Sequence, residues 1–414
     1  MREDCMHMRK RFRRFLPVPR HATTLGLLSF LTIRLGSNLR FLRMARIIAR
    51  NQAVQLSTEH WPRVSVLVPA RNEAETISAC LASLLQQRYP DFEVIVLDDG
   101  SSDDTGNLID AVAAHYPQLV VLHSTGNPPA GWTGKSYACA RLAERATGEW
   151  LLFTDADTVH SAQSLEQGIS LASRLHVSLL SAIPCQRTET WSERVLVSFL
   201  LDFLPLVAVS LRAMWHRPSG GRRMPRIVAN GQYVLVRAEK YRAVGGHASI
   251  RSALVDDFAL ARRFQDHGYT VALVDGTSLL ACRMYRSAAE VWQGFSKNLL
   301  DALKMQSAPA SISTSRGCKH LLRTYWTAPL FAWGYASLFV SPFASLIRGN
   351  QTRLAHVEVC WLLLLRALVV WRLRRPLDEI FTTPLAAWSV LLLGMAALMR
   401  RIRGQPIVWK GRIY

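Results

Sequence analysis

Two aspartates at the end of an apolar stretch, Asp155 and Asp157, are the residues whose spacing most directly suggests chemistry. Residues 150–154 before them predict a short buried strand. Residues i and i+2 of an extended chain lie on one face, so both carboxylates can point at the same object beyond the strand. Such a pair suits Mg2+ or Mn2+, which prefer carboxylate oxygens together with substrate phosphates. Taken alone, an Asp-x-Asp sequence is more often a solvated turn.

Two further apolar stretches upstream also end in acidic loops. Residues 64–68 are a β-branched run that predicts a strand, and the loop after it carries Glu73. Residues 93–97 predict a second strand, which runs into Asp98 and Asp99. A third predicted strand covers residues 119–123, and amphipathic helices separate these elements. We expect Asn72 to cap the first helix and Ser101 or Ser102 to cap the second.

This alternation of strands and helices predicts an α/β fold with a doubly wound sheet, whose ligands gather beyond the carboxyl ends of the strands. The loops of Glu73, Asp99 and Asp157 should therefore meet at one edge of the sheet. A purely structural explanation would have to account for three coincident acidic strand ends. No Gly-x-Gly-x-x-Gly follows the first strand, and no Gly-x-x-x-x-Gly-Lys-Ser/Thr occurs, so dinucleotide and P-loop nucleotide sites are disfavoured.

The formal charge of +20 is concentrated in the two ends of the sequence. Residues 1–50 carry a net charge of +10 and residues 316–414 one of +11, whereas residues 51–315 carry −1. A nucleic-acid-binding protein is expected to carry the basic excess on its working domain, so we expect no nucleic-acid partner. Basic flanks beside apolar segments instead favour contact with an anionic membrane surface.

Half of the residues are hydrophobic, and several stretches are candidates for membrane contact. Residues 324–347, 356–373 and 380–399 are long enough to span a bilayer, although Arg366 weakens the second. Residues 23–35 are short for a span and could instead form a re-entrant or interfacial helix. Residues 195–214 predict an interfacial helix beside an acceptor site. The loops between these stretches are all basic, so charge does not decide the topology.

The seven cysteines show no Cys-x-x-Cys spacing and their number is odd. This pattern argues against a disulfide framework and against a structural zinc site. We expect reduced thiols in a cytoplasmic domain. Cys80 and Cys139 lie in helical apolar patterns and are predicted to be core residues.

Taken together, residues 64–73, 97–103 and 153–157 resemble the nucleotide-sugar half of inverting family-2 glycosyltransferases, which have the GT-A fold with a Rossmann-like mixed sheet. The resemblance covers residues 63–286 and implies a UDP-sugar donor. It implies that the loops carrying Glu73 and Asp99 hold the uracil and ribose. It also implies that Asp155 and Asp157 contact the ribose and the metal on the diphosphate. Asp157 is the better metal candidate, and the metal would be Mg2+ or Mn2+. The residues implied in the two loops are Pro69, Ala70, Arg71, Glu73, Asp98 and Asp99.

Two more segments extend the resemblance. Residues 131–136 are similar to a Gly-Trp-x-Gly-Lys segment in a membrane-bound branch of the family that acts on isoprenoid lipids. Lys135 would there contact phosphate, since an ammonium is a good partner for pyrophosphate; without the family context, an exposed lysine before a helix explains it equally well. Residues 230–237, including Gly231, resemble the segment beneath the sugar donor.

Val255–Leu260 resembles the acidic motif that supplies the catalytic base. Inversion by direct displacement needs a base that takes the proton of the acceptor hydroxyl. The alignment makes Asp257 the base and Asp256 its support. The alternative, an acidic pair at the start of a helix, fits the same sequence.

The chain departs from processive members of the family, because Gln293 is not followed by the Arg-Trp pair of a Gln-x-x-Arg-Trp motif. We therefore expect transfer of a single sugar rather than polymer synthesis. Arg283, Arg286 and Lys297 are candidates for positive charge near the leaving diphosphate. Residues 409–414 resemble the end of the hopanoid-associated and carotenoid (diaponeurosporenoate-type) branch.

The sequence thus predicts a metal-dependent glycosyltransferase with a lipid acceptor, in the cell membrane, with several spans and its catalytic domain on the cytoplasmic face. We expect a basic membrane-associated segment (1–60), a GT-A domain (61–286), amphipathic interface helices (287–323) and a transmembrane region of about three helices (324–414). Two alternatives remain at this point: sugar transfer to polyprenyl phosphate, and a non-catalytic membrane scaffold with the same fold.

Overall fold

The protein is described by a computed structural model. The described residues are 20–50, 61–124, 126–208, 210–211, 229–307, 332–348, 353–406 and 408–413. The strands are β1 (Val64–Ala70), β2 (Phe92–Asp98), β3 (Leu119–His123), β4 (Trp150–Phe153), β5 (Thr158–His160), β6 (Leu179–Ile183), β7 (Cys185–Gln186), β8 (Val234–Arg237), β9 (Val271–Asp275), β10 (Leu280–Cys282), β11 (Val408–Trp409) and β12 (Arg412–Ile413).

Helices cover both faces of the sheet and form the periphery. The α-helices are α1 (Arg20–Arg50), α2 (Ile77–Leu85), α3 (Thr105–Ala113), α4 (Gly134–Arg145), α5 (Ser164–Arg174), α6 (Trp191–Val197), α7 (Leu204–Ala208), α8 (Ala238–Ala243), α9 (Asp256–Asp266), α10 (Ala288–Ser307), α11 (Ser341–Ile347), α12 (Arg353–Arg372) and α13 (Thr383–Ile402). Single turns of 3-10 helix occur at His247–Ile250 and Leu377–Ile380, and π-helical turns at Ser198–Phe203 and Ala336–Val340.

The central sheet has seven strands in the order β3-β2-β1-β4-β8-β6-β9. Strands β3, β2, β1 and β4 are parallel, and β8 runs antiparallel to both of its neighbours. The register sets Ala70 opposite Asp98 and Leu67 opposite Phe153, so β1, β2 and β4 end at one edge. The predicted doubly wound sheet with a common acidic edge is therefore confirmed, as a mixed sheet.

Alternation along the strands explains why the sheet is buried on both sides. Val64, Val66 and Val68 pack into one hydrophobic cluster, whereas Leu67 and Phe153 pack into the other. Both sets are almost completely buried. The apolar runs that predicted strands are thus the runs that a sheet between two helical layers requires.

The helix starts differ from the predicted caps. Helix α2 begins after Thr76, not after Asn72, whose φ of 51° places it in a left-handed turn. The Asn72 side chain accepts a hydrogen bond from the Ser102 backbone N–H at 2.8 Å, so it joins two loops. Helix α3 begins after Asp104, and the Ser101 hydroxyl donates to Asp98 instead. Both predictions were wrong because these polar groups bond within and between the two loops rather than to the helix starts.

Among the described residues, two helices are long and apolar enough to cross a membrane by their length and composition, Arg353–Arg372 and the part of α13 over Thr383–Arg400. They overlap the predicted second and third spans. Of the predicted span 324–347, residues 324–331 lie outside the described residues, and Ala332–Ile347 is a shorter apolar helix. Residues 23–35 belong to the longer helix α1.

Helix α5 packs against Tyr233, the residue just before strand β8. The Tyr233 ring is fully buried, and its hydroxyl donates to the Ser164 carbonyl at 3.1 Å. A Cβ at Gly168 would lie 2.0 Å from that hydroxyl. By contrast, a Cβ at Gly36 in helix α1 would have no neighbour within 4 Å.

We expect Gly168→Ala to lower the free energy of unfolding by about 1–3 kcal/mol, because the rigid Tyr233 ring must move. Gly36→Ala is the matched control and should be neutral or slightly stabilising, since it replaces a helical glycine without a clash. Denaturant unfolding of both purified variants measures the difference. Equal stability of the two variants would show that the close packing of Gly168 against Tyr233 does not contribute to stability.

Candidate active site

A cavity of about 800 Å³ opens at the carboxyl edge of the sheet. The predicted donor-site residues line it, with the exception of Asp98, and so do the predicted metal and base residues. The lining includes Pro69, Ala70, Arg71, Glu73, Asp99, Lys135, Asp155, Asp157, Gly231, Asp256 and Asp257. Residues from the ends of β1, β2 and β4, from the segment before β8 and from the starts of helices α4 and α9 are thereby brought together.

Asp98 and Asp99 are adjacent in sequence, but their side chains have different hydrogen-bond partners. The Asp98 carboxylate accepts hydrogen bonds from the Ser101 backbone N–H and hydroxyl, so it holds the loop in shape. Asp99 is almost completely buried at the cavity wall and receives the guanidinium of Arg412. Of the two predicted ligands, only Asp99 therefore faces the cavity.

Asp155 and Asp157 share one strand end but differ in their charge compensation. Lys135 Nζ lies 2.6 Å from an Asp155 oxygen. Asp157 Oδ1 is buried and has no hydrogen-bond partner among the described residues. Burial, together with repulsion from Asp155 and Glu73, raises the pKa of Asp157 to about 7. A buried carboxylate oxygen of this kind, beside a second carboxylate, fits a hard divalent cation.

Lys135 lies in the first turn of helix α4, which Thr133 caps by accepting a hydrogen bond from the Ser136 backbone N–H. Its ammonium also lies 3.8 Å from Asp256, so one cation connects the β4 end with the start of helix α9. Burial disfavours the charged lysine, but Asp155 and Asp256 outweigh that effect and raise its pKa. Lys135 is therefore a charged link between the predicted metal side and the predicted base side.

Asp257 is fixed by two backbone hydrogen bonds. Its Oδ2 accepts from the Gly231 N–H at 2.9 Å, and its Oδ1 accepts from the Phe258 N–H at 2.8 Å. Burial, followed by the negative charge of Asp256, raises the pKa of Asp257 to about 7. A carboxyl with this pKa can accept a proton near neutral pH, which is the requirement for a general base.

A buried histidine, His247, lies next to Asp256. His247 Nε2 lies 4.0 Å from Asp256, and its Nδ1 is 2.8 Å from the Tyr241 hydroxyl. Burial lowers the pKa of His247 to about 4, so the ring is neutral at pH 7. The Cys139 thiol is close to both groups. The sequence assigns no role to His247, because no local pattern indicates that it lies next to Asp256.

The three basic residues predicted near the leaving group also line the cavity. Arg283 is paired with Glu189 at 2.6 Å and with Glu193 at 3.0 Å. Arg286 lies 2.9 Å from Glu75. Their charges are therefore already partly compensated by acids at the rim.

Two basic residues at the cavity were not predicted as site residues, Lys410 and Arg412. Lys410 pairs with Glu73, and Arg412 pairs with Asp99. More than 300 residues of sequence separate the members of each pair. The only signal in the sequence was the resemblance of residues 409–414 to the end of one branch of the family.

Comparisons with known proteins agree with this geometry. Residues 65–217 match the model of glycosyl transferase family 2. The 4,4'-diaponeurosporenoate glycosyltransferase of Staphylococcus aureus (strain MRSA252) is 29% identical over 239 residues, which are 57% of this chain and 60% of that protein. The chain thus spans about three-fifths of the length of this relative.

Among solved structures, the mannosyltransferase PcManGT from Pyrobaculum calidifontis, in complex with GDP-Man and Mn2+, has a TM-score of 0.55 at 19% identity. The match covers 92% of this chain and 99% of that one. The sheet and its strand-end loops therefore define a protein of the GT-A fold. The match of residues 65–217 to the glycosyl transferase family 2 model agrees with the resemblance identified in the sequence.

We expect Lys135→Met to lower the free energy of unfolding by about 1 kcal/mol at pH 8, a figure kept small because the lysine is partly exposed. Asp257 has a raised pKa in the folded state, so it favours folding at low pH and opposes it as the pH rises through about 7. Lys135 lowers that pKa. Its removal should therefore matter most above pH 7 and least near pH 5.

Thermal unfolding of the parent and the variant between pH 5 and 8 measures this dependence. Lys240→Met is the matched control, because Lys240 forms a surface pair with the exposed Glu239. That variant should show a small deficit at every pH. A Lys135→Met deficit that is independent of pH would contradict the role of Lys135 as the shared counter-charge.

Proposed function

We propose that this protein is an inverting glycosyltransferase that moves a single sugar from a UDP-sugar to the hydroxyl or carboxylate of a membrane lipid, with isoprenoid lipids as the acceptor class. The observation that carries this proposal is one cavity lined by both Asp157 and Asp257. One carboxylate is suited to a cation on a diphosphate, and the other is suited to accept a proton. The family 2 domain supplies the reaction class.

On the donor side, the loops of Glu73 and Asp99 would bind the base and ribose, and Asp155 and Asp157 would bind the metal and the ribose. PcManGT was solved with GDP-Man and Mn2+, which agrees with a divalent cation at such a site. When bound, Mg2+ or Mn2+ would supply positive charge to the departing diphosphate. Lys135 would add a fixed positive charge beside it.

On the acceptor side, Asp257 takes the proton of the acceptor hydroxyl as that oxygen forms its bond to the anomeric carbon. The bond between this carbon and the diphosphate oxygen breaks, and the nucleoside diphosphate leaves with the electron pair. Gly231 and Phe258 hold the carboxylate in place through their N–H groups. A carboxylate acceptor would need no proton removed, so the base matters for hydroxyl acceptors.

A lipid acceptor is supported by the apolar part of the cavity wall. Leu200, Leu201 and Pro205 line the cavity on the side of the π-helical turn and helix α7. Arg366 of helix α12 donates a hydrogen bond to the Ser198 carbonyl in the same turn, at 3.1 Å. The apolar wall is therefore joined to a helix that is long and apolar enough to span a bilayer. The diaponeurosporenoate glycosyltransferase, by its name, acts on a carotenoid acid, which agrees with an isoprenoid acceptor.

We expect Asp257→Asn to slow sugar transfer to lipid hydroxyls by at least about a hundredfold, because the base is lost, while UDP affinity changes little. Asp256→Asn is the matched control and should slow transfer less, since Asp256 supports the base rather than accepting the proton. Calorimetry with UDP and transfer from a UDP-sugar to a lipid extract measure the two quantities. Normal transfer by Asp257→Asn, or loss of UDP binding, would refute the assignment. A non-catalytic scaffold would show no transfer in the parent protein.

The raised pKa of Asp257 gives a second expectation. For a hydroxyl acceptor, kcat/KM should fall as the pH drops below about 7, because the protonated carboxyl cannot accept another proton. The acid limb should be absent from the residual activity of Asp257→Asn. An identical acid limb in the variant would mean that another group titrates.

A further inference from the structure

Strands β11 and β12 form a short hairpin that presents two cations to the cavity, one from the turn and one from β12. Lys410 and Gly411 join the strands, with φ values of 45° and 76°. Positive φ at both central residues is the signature of a two-residue hairpin turn whose twist matches that of its strands. Val408 pairs with Ile413 and Trp409 with Arg412. The turn therefore holds Lys410 and Arg412 in a fixed relation to each other.

Arg412 makes several hydrogen bonds to Asp99. Its guanidinium contacts both carboxylate oxygens of Asp99, one of them at 3.0 Å, and it also reaches the Asp99 backbone carbonyl at 3.3 Å. Only 8% of Arg412 is exposed. A two-point arginine–carboxylate contact fixes orientation as well as charge. The side chain that faces the predicted nucleobase position is therefore oriented by this hairpin.

Lys410 occupies the space between the two acidic loops. Its ammonium pairs with Glu73 and donates to the Arg71 carbonyl at 2.9 Å. The Arg71 guanidinium in turn donates to the Lys410 carbonyl at 3.0 Å. The positive charge of Lys410 also acts on Asp157, whose pKa it lowers against the stronger effect of burial. Lys410 thus lies between a predicted ribose contact and the predicted metal ligand.

Three lysine side chains line the same cavity. They are Lys135, Lys297 and Lys410. Burial, followed by repulsion from Lys135, lowers the pKa of Lys297 to about 8, and Lys410 contributes to the same repulsion. Cations that repel one another in the absence of ligand are a favourable setting for a polyanion such as a diphosphate.

We propose that the hairpin 408–413 is a wall of the donor site, in which Lys410 binds the diphosphate of the nucleotide and Arg412 is a positioning residue for Asp99. This inference rests on the proposed function, since it names further contacts for the same donor. The hairpin does not fill the site, because the cavity of about 800 Å³ remains with the hairpin in place. It also neutralises Glu73 and Asp99 before an anionic donor arrives.

The test compares the affinities of three probes, UDP, UMP and uridine, for the full chain with Mn2+ present, by calorimetry or competition. Lys410→Gln should weaken UDP binding roughly tenfold, because a charge-assisted hydrogen bond to phosphate is lost, and should leave uridine within about twofold. Lys410→Arg should restore most of the UDP affinity. Arg412→Gln should weaken uridine and UDP by a similar factor, since it acts on the base side.

Arg403→Gln is the matched control, because it removes one positive charge from an exposed site just before the hairpin. It should bind all three probes like the parent. Unchanged UDP affinity in both Lys410→Gln and Arg412→Gln would show that the hairpin is not a wall of the donor site. Tighter UDP binding in either variant would also contradict the proposal, and it would show that the hairpin obstructs the site. A parent protein that binds no UDP would overturn the proposed function itself, whereas a parent that binds UDP beside unaffected variants would overturn only this inference.

Discussion

Mutual repulsion among carboxylates is the constraint around which the site is organised. Parallel strands that end at one edge bring Glu73, Asp99 and Asp155 within one cavity, and helix α9 adds Asp256 and Asp257. Uncompensated charges so close together oppose folding. Cations from two distant parts of the sequence compensate these charges. They are Lys135 in the first turn of helix α4 and the Lys410 and Arg412 side chains of the hairpin. Asp157 keeps a buried oxygen without a hydrogen-bond partner among the described residues, and this oxygen is the natural place for a metal ion.

A second set of ion pairs joins the apolar helices to the sheet domain. Arg375 lies 2.7 Å from Glu379, whose carboxylate also accepts from Thr188 at 3.0 Å. Arg372 at the end of helix α12 lies 2.6 Å from Asp275 at the end of β9. These groups are largely withdrawn from water, and a buried pair is costly to break on one side. The helices that are apolar enough to enter a bilayer are therefore joined to the sheet domain, which would keep the cavity close to the proposed lipid acceptor.

The sequence predicted those parts of the fold and site that depend on local patterns. Apolar runs followed by acids identified β1, β2 and β4. Asp155 and Asp157 line one cavity and do not form a solvated turn. The predicted caps at Asn72 and at Ser101 or Ser102 were wrong because hydrogen bonds between the two loops compete with capping, and no local sequence pattern indicates such bonds. The Arg412–Asp99 pair joins residues more than 300 positions apart, so spacing could not reveal it. Arg366 weakened a predicted span, yet it is fully buried against Ser198.

The uncompensated carboxylate charge at this edge should draw a divalent cation into the site, and the cation should in turn bind the nucleoside diphosphate. The most direct measurement is the affinity for UDP with and without Mn2+, together with the affinity for Mn2+ with and without UDP. Each ligand should strengthen the binding of the other by the same factor, because linkage is reciprocal. In Asp157→Asn this coupling should disappear. UDP affinity that is independent of Mn2+ in the parent protein would contradict the account.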